Sequence, residues 1–307
     1  MENEMNFSYI TLGGFVELNK YWYLYFTIMF TVYILIICSN SVIVYLILMN
    51  KSLHEPMYIF IAALLFNCVF YSTIVYPKLL IDFLSENQIV SYSACHFQFF
   101  MFYSIGGSEF MLLAVMAFDR YVSICKPLRY PTIMRKTTVN ILLVLAWILP
   151  ACPIAVQAIL SAKSKICNFR LNAIICNNVI YSAHCVRSKP IALFGVVALI
   201  FIIILPLLFT VFTYTKIFIM SYKSCRTLKK KVAETCIPHL MVLISYFCFM
   251  AYDVIVARLE SNFPQIVRFI MTLQILLYQP LFNPFIYGLK MKEIFKNLQR
   301  LFCSDKI

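Results

Sequence analysis

The stretch Met116-Ala117-Phe118-Asp119-Arg120-Tyr121-Val122-Ser123-Ile124-Cys125-Lys126-Pro127-Leu128-Arg129-Tyr130 decides how the chain is read. It carries an apolar run straight into a basic, proline-marked loop and sets an acid beside a base at the junction. Ionisable residues near membrane depth are costly and are kept where they act. The plainer reading is that Arg120 only marks the cytoplasmic end of a span, as basic residues often do.

Outward from that stretch, the 307-residue chain is 62% hydrophobic and 13% charged, with a mean hydropathy of +0.84. Average soluble domains are about 25% charged, so this is a membrane chain. Only 6 Gly stand beside 28 Phe and 20 Tyr, which argues against tight glycine-mediated helix packing and Gly-broken helices. The net charge of +13 fits nucleic acid or a membrane surface. Its placement in the loops favours the membrane and leaves no nucleic-acid partner. The first twenty residues are polar and slightly acidic, with no cleavable leader pattern, so the first span is expected to act as its own insertion signal.

Seven apolar runs are each long enough to cross a bilayer, which takes about 20 helical residues. They lie near Tyr21–Met49, Met57–Ile81, Cys95–Ile124, Val139–Leu160, Pro190–Met220, Thr235–Ala257 and Pro264–Leu289. Barrel strands are shorter and alternate in polarity, so a barrel is excluded. The expected fold is an all-α membrane protein, a single seven-transmembrane helix bundle with no soluble domain. Residues 1–20 form an extracellular tail, 21–289 the bundle, and 290–307 a cytoplasmic helix and tail. In Lys290–Phe302, the residues Met291, Ile294, Phe295, Leu298, Leu301 and Phe302 share one helical face. That pattern predicts an amphipathic helix on the inner leaflet, with membrane lipid as its partner. Cys303 beside it is either palmitoylated or a plain thiol.

With the N-terminus outside, 17 of the 26 basic residues fall on cytoplasmic segments, which supports N-out, C-in in the plasma membrane. The second outer loop runs against the rule, with Lys163, Lys165, Arg170, Arg187 and Lys189. Four of the 12 cysteines, Cys95, Cys167, Cys176 and Cys185, fall on the outer face. An even number in an oxidising space points to two disulfides with three possible pairings. A four-Cys zinc site competes, without C-x-x-C spacing to support it. Of the two glycosylation sequons, Asn6-Phe7-Ser8 and Asn50-Lys51-Ser52, only Asn6 lies on the outer face.

No enzyme is visible. The four His are scattered, and no metal-protease helix, phosphate loop or nucleophile turn appears. No cofactor or metal is implied. Glu109 lies eleven residues before Arg120, close to the bilayer midplane. It is either a neutral acid hydrogen-bonded to a neighbouring helix or a group that binds an ion or water. Asp253 sits nearer the outer end of the sixth span, as a ligand contact or simply solvated. Pro77, Pro150, Pro153, Pro206, Pro280 and Pro284 fall within spans, and each frees a backbone carbonyl and permits a kink. Asn283-Pro284-Phe285-Ile286-Tyr287 combines such a kink with two polar side chains at depth.

These segments together resemble a rhodopsin-like G-protein-coupled receptor, specifically an odorant receptor, and look most like the fish type. Leu53-His54-Glu55-Pro56-Met57-Tyr58 opens the second span, and Met116–Tyr130 is similar to the family's third-span end. Lys231-Val232-Ala233-Glu234-Thr235-Cys236-Ile237-Pro238-His239-Leu240 resembles its sixth-span entry, and Asn283–Tyr287 with Gly288-Leu289-Lys290 its seventh-span end. D-R-Y alone is a weak match, whereas the four in order are specific and cover nearly the whole chain.

The resemblance implies that Asp119 holds Arg120 at rest and releases it, with Tyr121 beside it, to a heterotrimeric G protein of the stimulatory olfactory type. Asn283 and Pro284 place Tyr287 to swing inward, and Asn40 matches the family's first-span Asn. It implies disulfides Cys95–Cys176 and Cys167–Cys185. A small-molecule odorant is expected at Phe102, Tyr103, Gly106 and Gly107 on the third span, Met250 and Val254 with adjacent Asp253 on the sixth, and Leu273 and Leu276 on the seventh. Gly106 and Gly107 either open room for the ligand or serve helix packing. Cys68, beside Asn67, stands where this superfamily's sodium site has an Asp, leaving Glu109 as the local acid. Phe118 replaces the usual Tyr, and Ser123 the usual Ala. The competing readings are a seven-helix receptor for a non-odour ligand and a transporter or channel, which predicts internal repeats and midplane charge pairs.

Overall fold

The computed structural model describes residues 9–186, 188–222, 232, 236–237, 239–248, 250–251 and 264–303, the side chains of 302 and 303 excepted. Helices α1 (Leu18–Met49), α2 (Pro56–Leu84), α3 (Tyr92–Cys125), α4 (Lys136–Ala162), α5 (Lys189–Tyr222) and α7 (Gln265–Lys290) are each long and apolar enough to span a bilayer. His239–Cys248 is the longest described run of α6, and α8 covers Lys292–Cys303. The helices run several residues beyond the apolar runs because capping and polar end residues continue the helix past the hydrocarbon. Pro56 at the first turn of α2 is an example, since its missing N–H costs nothing there.

The helix α3 is the axis of the bundle. In its apolar window 78% of residues are buried, against 22% in α4 and 28% in α1 and α5, whose outer faces are left for lipid. α3 packs on α2, α4 and α5, while α1 and α2 pack on each other and on α7.

Proline chemistry explains how α7 is held. Pro284 has no N–H for the carbonyl of Pro280, and Pro280 none for that of Leu276. Both freed carbonyls find side-chain donors: Asn40 Nδ2 donates to Pro280 O at 2.8 Å, and Tyr76 Oη to Leu276 O at 3.2 Å. The same logic acts in α5. Pro206 offers no N–H to Ile202, and the helix widens to a π segment over Ile200–Ile204 just before it.

Residues 9–20 are not a free tail. Tyr9–Leu12 forms β1, the centre of a small sheet ordered β2-β1-β3. It runs antiparallel to β2 (Ile89–Ser91) and parallel to β3 (Arg170–Leu171), with Ile10 opposite Val90 and Leu12 opposite Leu171. Ile10 and Leu12 point into the fold while Tyr9 and Thr11 face out, the alternation a half-buried strand requires. Alternation over four residues is too short to stand out beside runs of thirty. Disulfides join Cys95 to Cys176 and Cys167 to Cys185 beside this sheet, which removes the zinc alternative. Asn6 lies outside the described residues.

α8 divides its apolar face. Ile294 is fully buried and Met291 nearly so, and Leu298 packs beside them, while Phe295 and Leu301 are exposed. The face expected to lie wholly on lipid is therefore partly a joint with α1 and α7.

Candidate functional site

One end of the bundle carries the ionic junction. Arg120 Nε donates to Asp119 Oδ2 at 2.9 Å, and an Nη donates to the same oxygen. Adjacent helical residues do not face each other, so Arg120 must fold back to reach its neighbour. Tyr130 Oη donates to the other oxygen, Asp119 Oδ1, at 2.8 Å. Burial, and then the Asp119 carboxylate, push the Tyr130 phenol well above its usual range, so it remains a donor at physiological pH. Asp119 is fully buried. An acid so placed holds its base strongly, because removing one partner of a buried pair strands a charge.

Three side chains converge above this pair. Tyr214 of α5 packs with Ala117 and Ile217 on Val232 and Cys236. His239 of α6 and Tyr287 of α7 are both buried, with Tyr287 Oη 3.3 Å from His239 Nδ1. Among the described residues, Tyr214 Oη and His239 Nε2 have no partner. Tyr214 has no sequence signal beyond a Tyr in an apolar run. Half of Lys231–Leu240, including Pro238, lies outside the described residues.

Deeper in the bundle, Asn283 Nδ2 donates to Glu109 Oε1 at 3.0 Å and to Cys68 Sγ at 3.2 Å. Gln279, with its amide turned to satisfy both ends, donates to the same Glu109 oxygen at 3.1 Å. Glu109 is thus hydrogen-bonded to a neighbouring helix. Asn67 is a second hub: it donates to Ile105 O at 3.1 Å and accepts from Trp147 Nε1 at 3.2 Å, joining α2, α3 and α4.

Toward the sheet end lies a cavity of about 550 Å³ between α3, α4, α5 and the loop carrying β3. Its inner wall is apolar, with Phe110, Ile154, Ile202 and Ile203. The π segment turns Ile202 and Ile203 into it. Of the expected ligand residues, Tyr103, Gly107 and Met250 line this cavity. Phe102, Gly106, Leu273 and Leu276 do not. Phe102 is turned toward α2, its ring 5.3 Å from that of Tyr71. Gly106 is covered by Tyr246, whose hydroxyl donates to Gly106 O at 2.7 Å. Leu276 is fully buried and Leu273 packs against the core. Asp253 and Val254 lie outside the described residues.

Gly107 both lines the cavity and packs. A Cβ there would stand 2.7 Å from Ile202 Cγ2 and from Pro150 Cβ. Close glycine packing therefore does occur on α3, despite the scarcity of glycine in the chain. The loop side of the cavity is built from residues that no motif marks, Asn178, Val179 and Tyr181 among them. Tyr181 Oη donates to Gln157 Oε1 at 3.1 Å, and Asn178 N donates to Tyr103 Oη at 3.0 Å. The available signal is the length and polarity of the loop between the fourth and fifth runs.

A central third helix with an acid–base lock at one end, a cavity at the other and a proline-kinked seventh helix between them defines a rhodopsin-like seven-helix receptor. Within that class the chain belongs to the olfactory receptor family: a family model described as "Olfactory receptor" matches residues 29–305. It is 32% identical over 286 residues to human "Olfactory receptor 11H2", covering 92% of this chain and 87% of that protein. It is 31% identical to human "Olfactory receptor 13C2" (91% and 90% covered) and 31% identical to "Olfactory receptor 1500" of Rattus norvegicus (94% and 93% covered).

Proposed function

We propose that this chain binds a small odorant in the cavity between α3, α4 and α5 and passes its occupancy to a stimulatory, olfactory-type G protein that raises cyclic AMP. The receptor sits in the plasma membrane with its N-terminus outside and its C-terminus in the cytoplasm, the exposed Phe295 and Leu301 of α8 resting on inner-leaflet lipid. The observation that carries this reading is the pairing of a partly apolar cavity at one end of α3 with the Asp119–Arg120 ion pair at the other.

Binding acts by population shift. The ligand favours a packing in which Arg120 leaves Asp119 and Tyr287 leaves His239, and it shifts the equilibrium only by its differential affinity for the two packings. In that packing Arg120 meets the G protein, and Tyr214 and Tyr287 offer hydroxyls to the space it vacates. Arg120→Ala tests this. Odorant-driven cyclic AMP should vanish while surface staining persists, and an intact response would overturn the coupling mechanism.

A further inference from the structure

We infer that the ligand is an amphipathic organic anion, an aliphatic carboxylate whose chain lies on the apolar inner wall and whose head group meets Arg268 and Gln157. This inference rests on the odorant reading above and narrows its ligand class.

Two independent observations carry it. The first is the state of the cavity's polar atoms. Arg268, in the first turn of α7, lines the cavity, and its buried Nε has no hydrogen-bond partner among the described residues. Gln157 of α4 is buried and also lines the cavity, and its Nε2 has no partner there either. Among the described residues, these are the two buried, unpartnered side-chain atoms on the cavity wall, and both are donors. Buried donors left unmade are costly, and an acceptor group entering the cavity would complete them. A cation in the first turn of a helix also opposes the helix dipole, so Arg268 gains nothing from its own helix. Arg170 stands at the mouth of the same cavity, and no carboxylate is found among the described lining residues. Asp253 lies outside the described residues. A guanidinium meets a planar carboxylate through Nε and one Nη in two parallel bonds.

The second observation is the loop above the cavity. From Lys163 to Lys189 it holds five basic residues and no Asp or Glu. That bias opposes the usual charge distribution of membrane proteins. Of the five, Arg170 lines the cavity, while Arg187 lies outside the described residues. A loop of single charge sign beside a low-dielectric cleft concentrates the oppositely charged ligand and speeds its entry.

The test uses the full chain, expressed with an olfactory-type stimulatory G protein and read by cyclic AMP at about pH 7.4. The probes are straight-chain C4–C10 monocarboxylates, ionised at that pH, and the 1-alcohols and 1-amines of matching length. At least one carboxylate should act at a concentration about tenfold or more below its alcohol and amine. Arg268→Gln should raise the carboxylate's half-effective concentration about tenfold or more, with Arg268→Lys between the two, and should leave any alcohol response in place. Surface labelling accompanies each variant, and Gln157→Leu provides a second loss of donor should Arg268→Gln fail to reach the surface. If no carboxylate activates the surface receptor while alcohols do, this inference is overturned and the odorant reading stands. Carboxylate responses unchanged in a displayed Arg268→Gln or Gln157→Leu receptor would also overturn it.

Discussion

Asp119 takes three hydrogen bonds from two residues, and the one from Tyr130 can be removed without touching the ion pair. Tyr130→Phe deletes a bond to a charged group, worth roughly 1.5–3 kcal/mol. The resting packing loses that support, so basal cyclic AMP without odorant should rise in Tyr130→Phe, and rise further in Asp119→Asn. Unchanged basal signalling in both would mean that the junction does not restrain the receptor. Asp119 and Arg120 were legible as a pair because adjacent charges stand out where an apolar run meets a basic loop. Tyr130 was legible only as part of the same stretch, since its reach back to Asp119 depends on the helical turn Tyr130–Ile133. Gly107 teaches the reverse lesson. Sequence left space and packing as alternatives, and the structure gives it both. A Gly107→Ala side chain meets the Pro150 ring, which cannot rotate away. A loss of about 1–3 kcal/mol is expected, read as a lower melting temperature of purified receptor.

At the scale of the helix, the prolines were visible as kink sites, but the donors that tie off their freed carbonyls were not. Asn40 and Tyr76 lie 240 and 200 residues from their acceptors, and only tertiary packing brings them together. Asn40→Leu should leave the Pro280 carbonyl buried and unpaired, costing about 1–3 kcal/mol. Tyr76→Phe should do the same at Leu276. Thermal unfolding of the two single variants in detergent or nanodiscs measures both losses, and a melting temperature equal to that of the parent would show that α7 finds other partners. The wall of the cavity was only partly legible for a related reason. Helical spacing identifies which residues share a face, but the rotation of α3 is set by Phe102 packing on Tyr71 and by Tyr246 over Gly106. Those contacts turn the expected positions toward α2 and α6, and open Gly107 and Tyr103 toward α4 and α5.

At the scale of the molecule, the spans were legible because lipid imposes length and hydropathy on each one. The cap at the sheet end was not, because it is built from short strands and loop residues brought together by disulfides. Within it, Ser161 Oγ lies 2.8 Å from His96 Nε2 and 3.1 Å from His184 Nε2. Burial first, then the facing His96 imidazole, hold His184 below its usual range. Its stabilising contribution is therefore complete above about pH 6.5. Below that value the unfolded chain takes up a proton that the folded loop resists, and stability falls as acidification proceeds toward the folded-state pKa. Melting temperature should drop between about pH 7.5 and 5.5, and the drop should be smaller in His184→Gln. An identical drop in the variant would assign the acid sensitivity elsewhere.

The small sheet also sets a schedule for biogenesis. β1 is synthesised before any span, yet Leu12 pairs with Leu171, which follows α4. Four helices must be inserted before the strand made first meets its parallel neighbour. β2, which follows α2, can cover one edge of β1 through Ile10 and Val90, but until residue 171 arrives Leu12 lacks its second partner strand. The cap closes only when residue 171 arrives, so a chain stalled or misthreaded before that point displays an apolar strand with one open edge ahead of α1, where a chaperone can hold it.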